Sequence, residues 1–326
     1  MGILLRPPRP SAHLDKRGLA EDDSRMALTP AVVTDHYVRR LMPLLALFLL
    51  VVTVVTSLLR HEFATSISAY HSGAVRDVFV GTLIAIATCL VAYQGRSPLE
   101  DFALNAAGFY VVFVALIPTE LQEILREVKA PNTTLVDLQN EFVTYLQVAV
   151  TFVLISCAWL LVAEWRSGEI RHLWTSGAGP KALIVGSTVL LPLFLGLCVK
   201  QLWLTGSNPV VLDGIKIGPK QVPIHFIAAI LFIASLAVAV ASRAWPGQVK
   251  QWAETPPDPN QGVYRVIFVL MTLGAGAVAV AVMISSWHDH VILIVEWWEV
   301  ALFTAFWVWE YQSAQELPAA DEFLGL

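Results

Sequence analysis

Long apolar runs alternate with short polar joints along most of the chain. Eight runs stand out, at roughly 41–59, 75–93, 102–118, 142–163, 182–199, 223–242, 263–284 and 290–310. A helix rises about 1.5 Å per residue, so about 20 apolar residues cross roughly 30 Å of bilayer hydrocarbon. Backbone that faces lipid must satisfy its own hydrogen bonds, so each run is predicted to be a helix. The pattern predicts an all-α polytopic membrane bundle with about eight transmembrane helices spread over residues 37–312. Residues 1–36 are polar, mixed in charge and carry Pro7, Pro8 and Pro10, which reads as a disordered tail and not as a signal peptide. Residues 313–326 read as a short acidic tail. The joints at 174–180 and 255–261 are rich in Gly, Ser or Pro and read as loops. The longest joint, 119–141, is predicted to hold a short interfacial helix over 120–129, and Asn132-Thr133-Thr134 within it matches a glycosylation acceptor.

Within the runs, spacing of three and four residues predicts which faces pack. In the second run Asp77, Gly81, Ala85, Thr88 and Ala92 form a small-residue stripe, which turns Asp77 into the bundle while Arg76 reaches toward headgroups. The third run carries Asn105, Gly108, Val112, Ala115 and Thr119 on one face, with Asn105 placed for a buried interhelical hydrogen bond. In the last run Glu296, Glu299, Phe303, Trp307 and Glu310 share a face, with Glu299 near the bilayer midplane. An ionisable group at that depth is a functional candidate. Trp297, Trp298, Trp307 and Trp309 read as packing and interfacial-belt residues. Gly274 and Gly276, with Ala275, Ala277 and Ala279, predict close packing in the seventh run, and Pro192 with Gly196 predicts a kink in the fifth.

Composition strengthens the membrane reading. Of 326 residues, 56% are hydrophobic and only 14% are charged, with a mean hydropathy of +0.64. A soluble chain carries roughly 25% charged residues. The net charge of −5 gives no basis for nucleic-acid binding. Cys89, Cys157 and Cys198 fall inside apolar runs, without metal-ligand spacing, and predict buried packing. Phosphate-binding loops, His-Glu-x-x-His and Gly-x-Ser-x-Gly are missing.

Charge also predicts orientation. With a cytoplasmic N-terminus, two thirds of the 21 lysines and arginines fall on the inner side, and Arg39 and Arg40 stand directly before the first span. Both termini are therefore expected in the cytoplasm of a multi-pass cell-membrane protein. On that topology His61, His71, His225, His288 and His290 gather at the outer side, together with Glu62, Asp77, Glu120 and Asp289. Glu296 lies about 9 Å below His290. The stretch from Ser66 to Thr82 stands out, because it sets Ser66, Ser68, Tyr70, His71, Arg76 and Asp77 against the start of an apolar run. Imidazoles and carboxylates there suit a metal, acid–base work, or contact with a lipid headgroup.

Ser66-Ile-Ser-Ala-Tyr-His and Arg76-Asp-Val-Phe-Val-Gly81 resemble a bacterial multispan membrane family distantly related to the DRAM-type proteins. Leu104-Asn-Ala-Ala-Gly108, Ala115-Leu-Ile-Pro-Thr119, Ile224-His-Phe-Ile-Ala-Ala229 and the glutamate-bearing last span carry the likeness further, over roughly 36–120 and 222–312. The resemblance implies a six-span core into which two spans, at about 142–199, are inserted, and it favours lipid handling. A thinner likeness, to the alkaline-ceramidase and progestin-receptor-like hydrolases, implies a zinc site using His71, Asp77 and His225 beside Ser66 or Ser68. The paired late-span histidines of those enzymes are missing here. Three functions are thus expected from the sequence. The first is cofactor-free binding of membrane lipid, a membrane-protein partner or a second copy through the outer polar mouth. The second is zinc-dependent lipid hydrolysis, and the third is proton-coupled transport through Glu299.

Overall fold

The computed structural model describes residues 30–61, 63–64, 66–71, 75–118, 135–167, 178–203, 215–217, 220–246, 260–283 and 291–323. Among these residues run eight α-helices: α1 (Pro30–Arg60), α2 (Arg76–Ala92), α3 (Pro98–Leu116), α4 (Leu135–Ser167), α5 (Ala178–Trp203), α6 (Ile224–Ala244), α7 (Gln261–Met283) and α8 (Val291–Phe323). Each apolar run lies on one of them, to within a residue or two at its ends. Five helices hold stretches long and apolar enough to cross a membrane, in α1, α3, α4, α6 and α8. Shorter apolar stretches lie on α5 and α7, and α2 has 17 residues. The architecture is compatible with an integral membrane protein. The predicted helix over 120–129, the acceptor at Asn132 and the joint at 174–177 lie outside the described residues.

Two boundaries differ from the sequence reading. The first helix starts at Pro30, inside the expected tail. Proline suits the first helical position, and Asp35 pairs with Arg39 one turn later at 2.7 Å. At the other end α8 continues to Phe323 through Ala, Gln and Glu, which are strong helix formers. A short antiparallel hairpin, β1 (Ile215–Ile217) with β2 (Lys220–Val222), also went unpredicted.

Six helices close into a ring. The packing order is α1, α2, α3, α6, α7, α8 and back to α1. These six helices carry most of the buried side chains, among them Phe79, Leu104, Phe113, Leu236, Phe303 and Trp307. Burial separates ring helices from the other pair. In the apolar stretch of α3, 61% of the residues are buried, against 11% in that of α4. On α4, Phe152, Trp159 and Trp165 are exposed, an arrangement that lipid solvates and water does not.

The small-residue stripe of α2 does not pack. Asp77, Gly81, Thr88 and Ala92 are exposed, and a Cβ added at Gly81 would meet nothing within 4 Å. Phe79, Thr82, Leu83, Ile86, Ala87 and Leu90 form the buried face instead. Small residues permit close approach, but large apolar residues gain more area by burial, and here they turned the helix. Asp77 therefore sits in the exposed first turn, where the helix dipole favours a carboxylate. On α3 the expected stripe is partly used. Gly108 is buried against α2, with Val91 Cγ2 and the Ala87 carbonyl oxygen 2.8 and 3.1 Å from where its Cβ would stand. On α7 Gly274 is buried, while Ala275, Gly276 and Ala277 are exposed. The cysteines form no disulfide among the described residues, with Cys198 buried and the other two half-buried.

Candidate functional site

Polar groups gather at both ends of the ring. At one end the chain leaves α1 and makes a 3₁₀ turn, Ile67–His71. Ser66 and Ser68 are buried, with their hydroxyls 2.9 Å apart, and the Ala69 N–H donates to Ser66 Oγ at 3.0 Å. The Ile67 N–H donates to Glu296 Oε2 at 2.5 Å, which ties the turn to α8. His225, buried in the first turn of α6, holds its Nδ1 2.6 Å from the carbonyl oxygen of Ile117. A carbonyl only accepts, so Nδ1 carries the proton. Ile117 caps α3, where the last carbonyls have no partner within the helix.

Below this turn lies a cavity of about 110 Å³. Its wall is mostly apolar, with Leu49, Phe79, Leu83, Phe232, Leu236 and Phe303 among the lining residues. Ser68, His225, Glu296 and Glu299 line it as well. The size is of the order of an engineered apolar cavity that takes up benzene. Glu299 is 6% exposed, and neither carboxylate oxygen has a hydrogen-bond partner among the described residues. Its carboxylate rests against Gly274 of α7, where any Cβ would collide with Oε1. Nearby, Trp297 Nε1 donates to Thr53 Oγ1 at 3.1 Å, linking α8 to α1.

The opposite end of the ring carries a buried ion network centred on Glu310. Its Oε2 accepts from Arg39 Nη1 at 2.9 Å, Arg243 Nη2 at 3.1 Å and Tyr93 Oη at 3.4 Å. Its Oε1 accepts from Tyr264 Oη at 2.5 Å. Arg243 Nε also donates to Glu100 Oε1 at 2.9 Å, and Arg243 Nη2 to Tyr93 Oη at 3.1 Å. Glu100 Oε2 accepts the Arg96 N–H at 2.9 Å. Arg39 lies over the Tyr93 ring at 4.7 Å and bonds Asp35. Glu100 and Glu310 are fully buried. Every ring helix reaches this network, α2 through its capping residue Tyr93.

The expected site residues divide between these surroundings. Ser66, Ser68, His225 and Glu296 come together around the cavity mouth. Arg76 and Asp77 are exposed on α2, apart from it. The side chains of Tyr70 and His71 lie outside the described residues. Of the expected zinc ligands, Asp77 is exposed, His225 is buried with Nδ1 engaged, and the side chain of His71 lies outside the described residues; among the described residues no group of three metal-ligating side chains occurs. Asn105 is half-buried on α3, away from the cavity. The expected face of α8 does turn inward, since Glu299, Phe303, Trp307 and Glu310 are all buried.

The ion network was missed by sequence reasoning, although a signal existed. Ser97-Pro98-Leu99-Glu100 is a capping-box sequence with proline at the first helical position. Ser97 Oγ indeed accepts the Glu100 N–H at 3.2 Å. Arg39, Arg243 and Glu310 sit at the ends of apolar runs on one predicted side, where charges pair or face a bundle interior. Comparison with known proteins adds no relative to this picture, because no family model, curated protein or solved structure matches the chain.

Proposed function

We propose that the protein is an eight-span cell-membrane protein, with both termini in the cytoplasm, that binds the apolar chain of a lipid or lipid-like molecule inside its helix ring. The polar head of the ligand rests at Ser68, His225 and Glu296. The observation that carries this reading is the cavity itself: a mostly apolar space of about 110 Å³ whose polar lining residues are Ser68, His225 and Glu296, with Glu299 one turn deeper. That division of apolar body and polar tip matches an amphipathic ligand. Closure of the ring without α4 and α5 supports the resemblance to a six-span core with an inserted pair. The exposed aromatic side chains of α4 support its placement in lipid.

A short alcohol tests the reading, with n-hexanol standing in for a lipid chain and head. Wild-type protein in nanodiscs is expected to bind it saturably, above the partitioning measured in protein-free nanodiscs. Ala229 lines the cavity, and Ala229→Phe fills it. That variant should lose at least about tenfold in affinity, the scale set by denying a buried apolar contact, while keeping its helical circular dichroism. Equal binding by Ala229→Phe would remove the cavity as the site.

A further inference from the structure

Glu296 and Glu299 stand one helical turn apart on α8, and both line the cavity. No lysine or arginine is among its described lining residues, and three phenylalanine rings, Phe79, Phe232 and Phe303, form part of the wall. Glu296 spends one oxygen on the Ile67 N–H. Glu299 has no hydrogen-bond partner among the described residues although it is 94% buried by its 6% exposure. Its carboxylate packs directly against the Gly274 backbone, in the space a Cβ at that position would occupy. A carboxyl group held this way is penalised by its burial unless something donates to it.

The chemistry narrows the ligand. An anionic head would meet two carboxylates in low dielectric. A hydroxyl donates one hydrogen bond. An ammonium group donates three and brings the opposite charge. From Glu296 to Phe303 the cavity runs about 10 Å along α8, which suits a chain of about six carbons.

We infer that the ligand is a lipophilic primary amine, with its ammonium held between Glu296 and Glu299 and its chain among the phenylalanines. This rests on the cavity being a ligand site, as proposed above. The test is a matched series, n-hexylamine, n-hexanol and n-hexanoate, titrated at neutral pH into the full-length protein in nanodiscs. Binding is read from tryptophan fluorescence, with protein-free nanodiscs as the blank. Hexylamine should bind at least about tenfold more tightly than hexanol, with hexanoate weakest, as expected for a desolvated charge pair. Glu299→Gln should reduce the amine-to-alcohol ratio to under about threefold, because the charge is lost and the acceptor oxygen kept. Exposed Gly81→Ala should leave the ratio unchanged. Equal binding of amine and alcohol by wild type overturns the amine inference and leaves the cavity reading standing. Saturable binding of none of the three overturns the cavity reading. An unchanged ratio in Glu299→Gln removes Glu299 from recognition. Should Glu299→Gln fail to fold, Glu296→Gln and the wild-type ratio decide the same question.

Discussion

Arg243 of α6 joins three other helices of the ring, since it bonds Glu100 of α3, Glu310 of α8 and the phenol of Tyr93, which caps α2. Burying these charges is expensive, and their mutual bonds offset the expense only while every partner is present. Removing one partner strands the others. Arg243→Met should therefore destabilise the protein by about 3–5 kcal/mol. Adding Glu100→Gln to it should cost less than the sum of the two single changes, with a coupling of about 0.5–3 kcal/mol. Unfolding in a denaturing detergent titration measures both numbers. A silent Arg243→Met would mean that the network contributes nothing to the ring. These residues were hard to read from the sequence because a charge at a span end is ambiguous. Arg39 and Arg243 serve equally well as orientation signals facing water and as buried partners. Only the Ser97-to-Glu100 spacing hinted that Glu100 turns back toward the chain end, and no local pattern links it to Arg243, 143 positions away. Glu299 was legible because a lone carboxylate deep in an apolar run has no surface explanation. Its Gly274 seat was not legible, since that contact joins two helices.

At the level of the helix, existence was legible and rotation was not. Length and apolarity fix where a span lies, and every run is helical. Which face turns inward depends on neighbours that the run does not encode. The glycines of α2 and α3 make the difference measurable. Gly81 is exposed with open space around it, so Gly81→Ala should raise helix stability by about 0.5–1 kcal/mol through lost chain entropy. Gly108 faces Val91 and the Ala87 carbonyl at close range, so Gly108→Ala should destabilise by about 1–3 kcal/mol through overpacking. Thermal unfolding of the two variants should thus move in opposite directions. If Gly81→Ala were the damaging change, α2 would pack through its small-residue stripe after all. On α8 the reading succeeded because Phe303 and Trp307 share a face with the carboxylates, so packing and chemistry pointed the same way.

For the whole molecule, the ring has one end closed by ions and one end where the cavity lies beneath the 3₁₀ turn. Closure by the Glu310 network leaves a ligand no comparable polar seat there, while Ser68, His225 and Glu296 provide one at the other end. Which end faces the cytoplasm decides where a ligand would enter. In the proposed orientation, which rests on the distribution of lysine and arginine, the Glu310 end faces the cytoplasm. His61 is exposed just beyond α1 at the cavity end, and Gln94 is exposed between α2 and α3 at the network end. They report opposite sides. On a background lacking the three native cysteines, His61→Cys should react with a membrane-impermeant maleimide in intact cells. Gln94→Cys should react only after permeabilisation. The reversed pattern would turn the molecule over, move the cavity mouth to the cytoplasmic face and make the ligand one drawn from inside the cell. Reaction of both positions in intact cells would mean that α2 does not cross the bilayer, and the ring would then have to lie partly at the membrane surface.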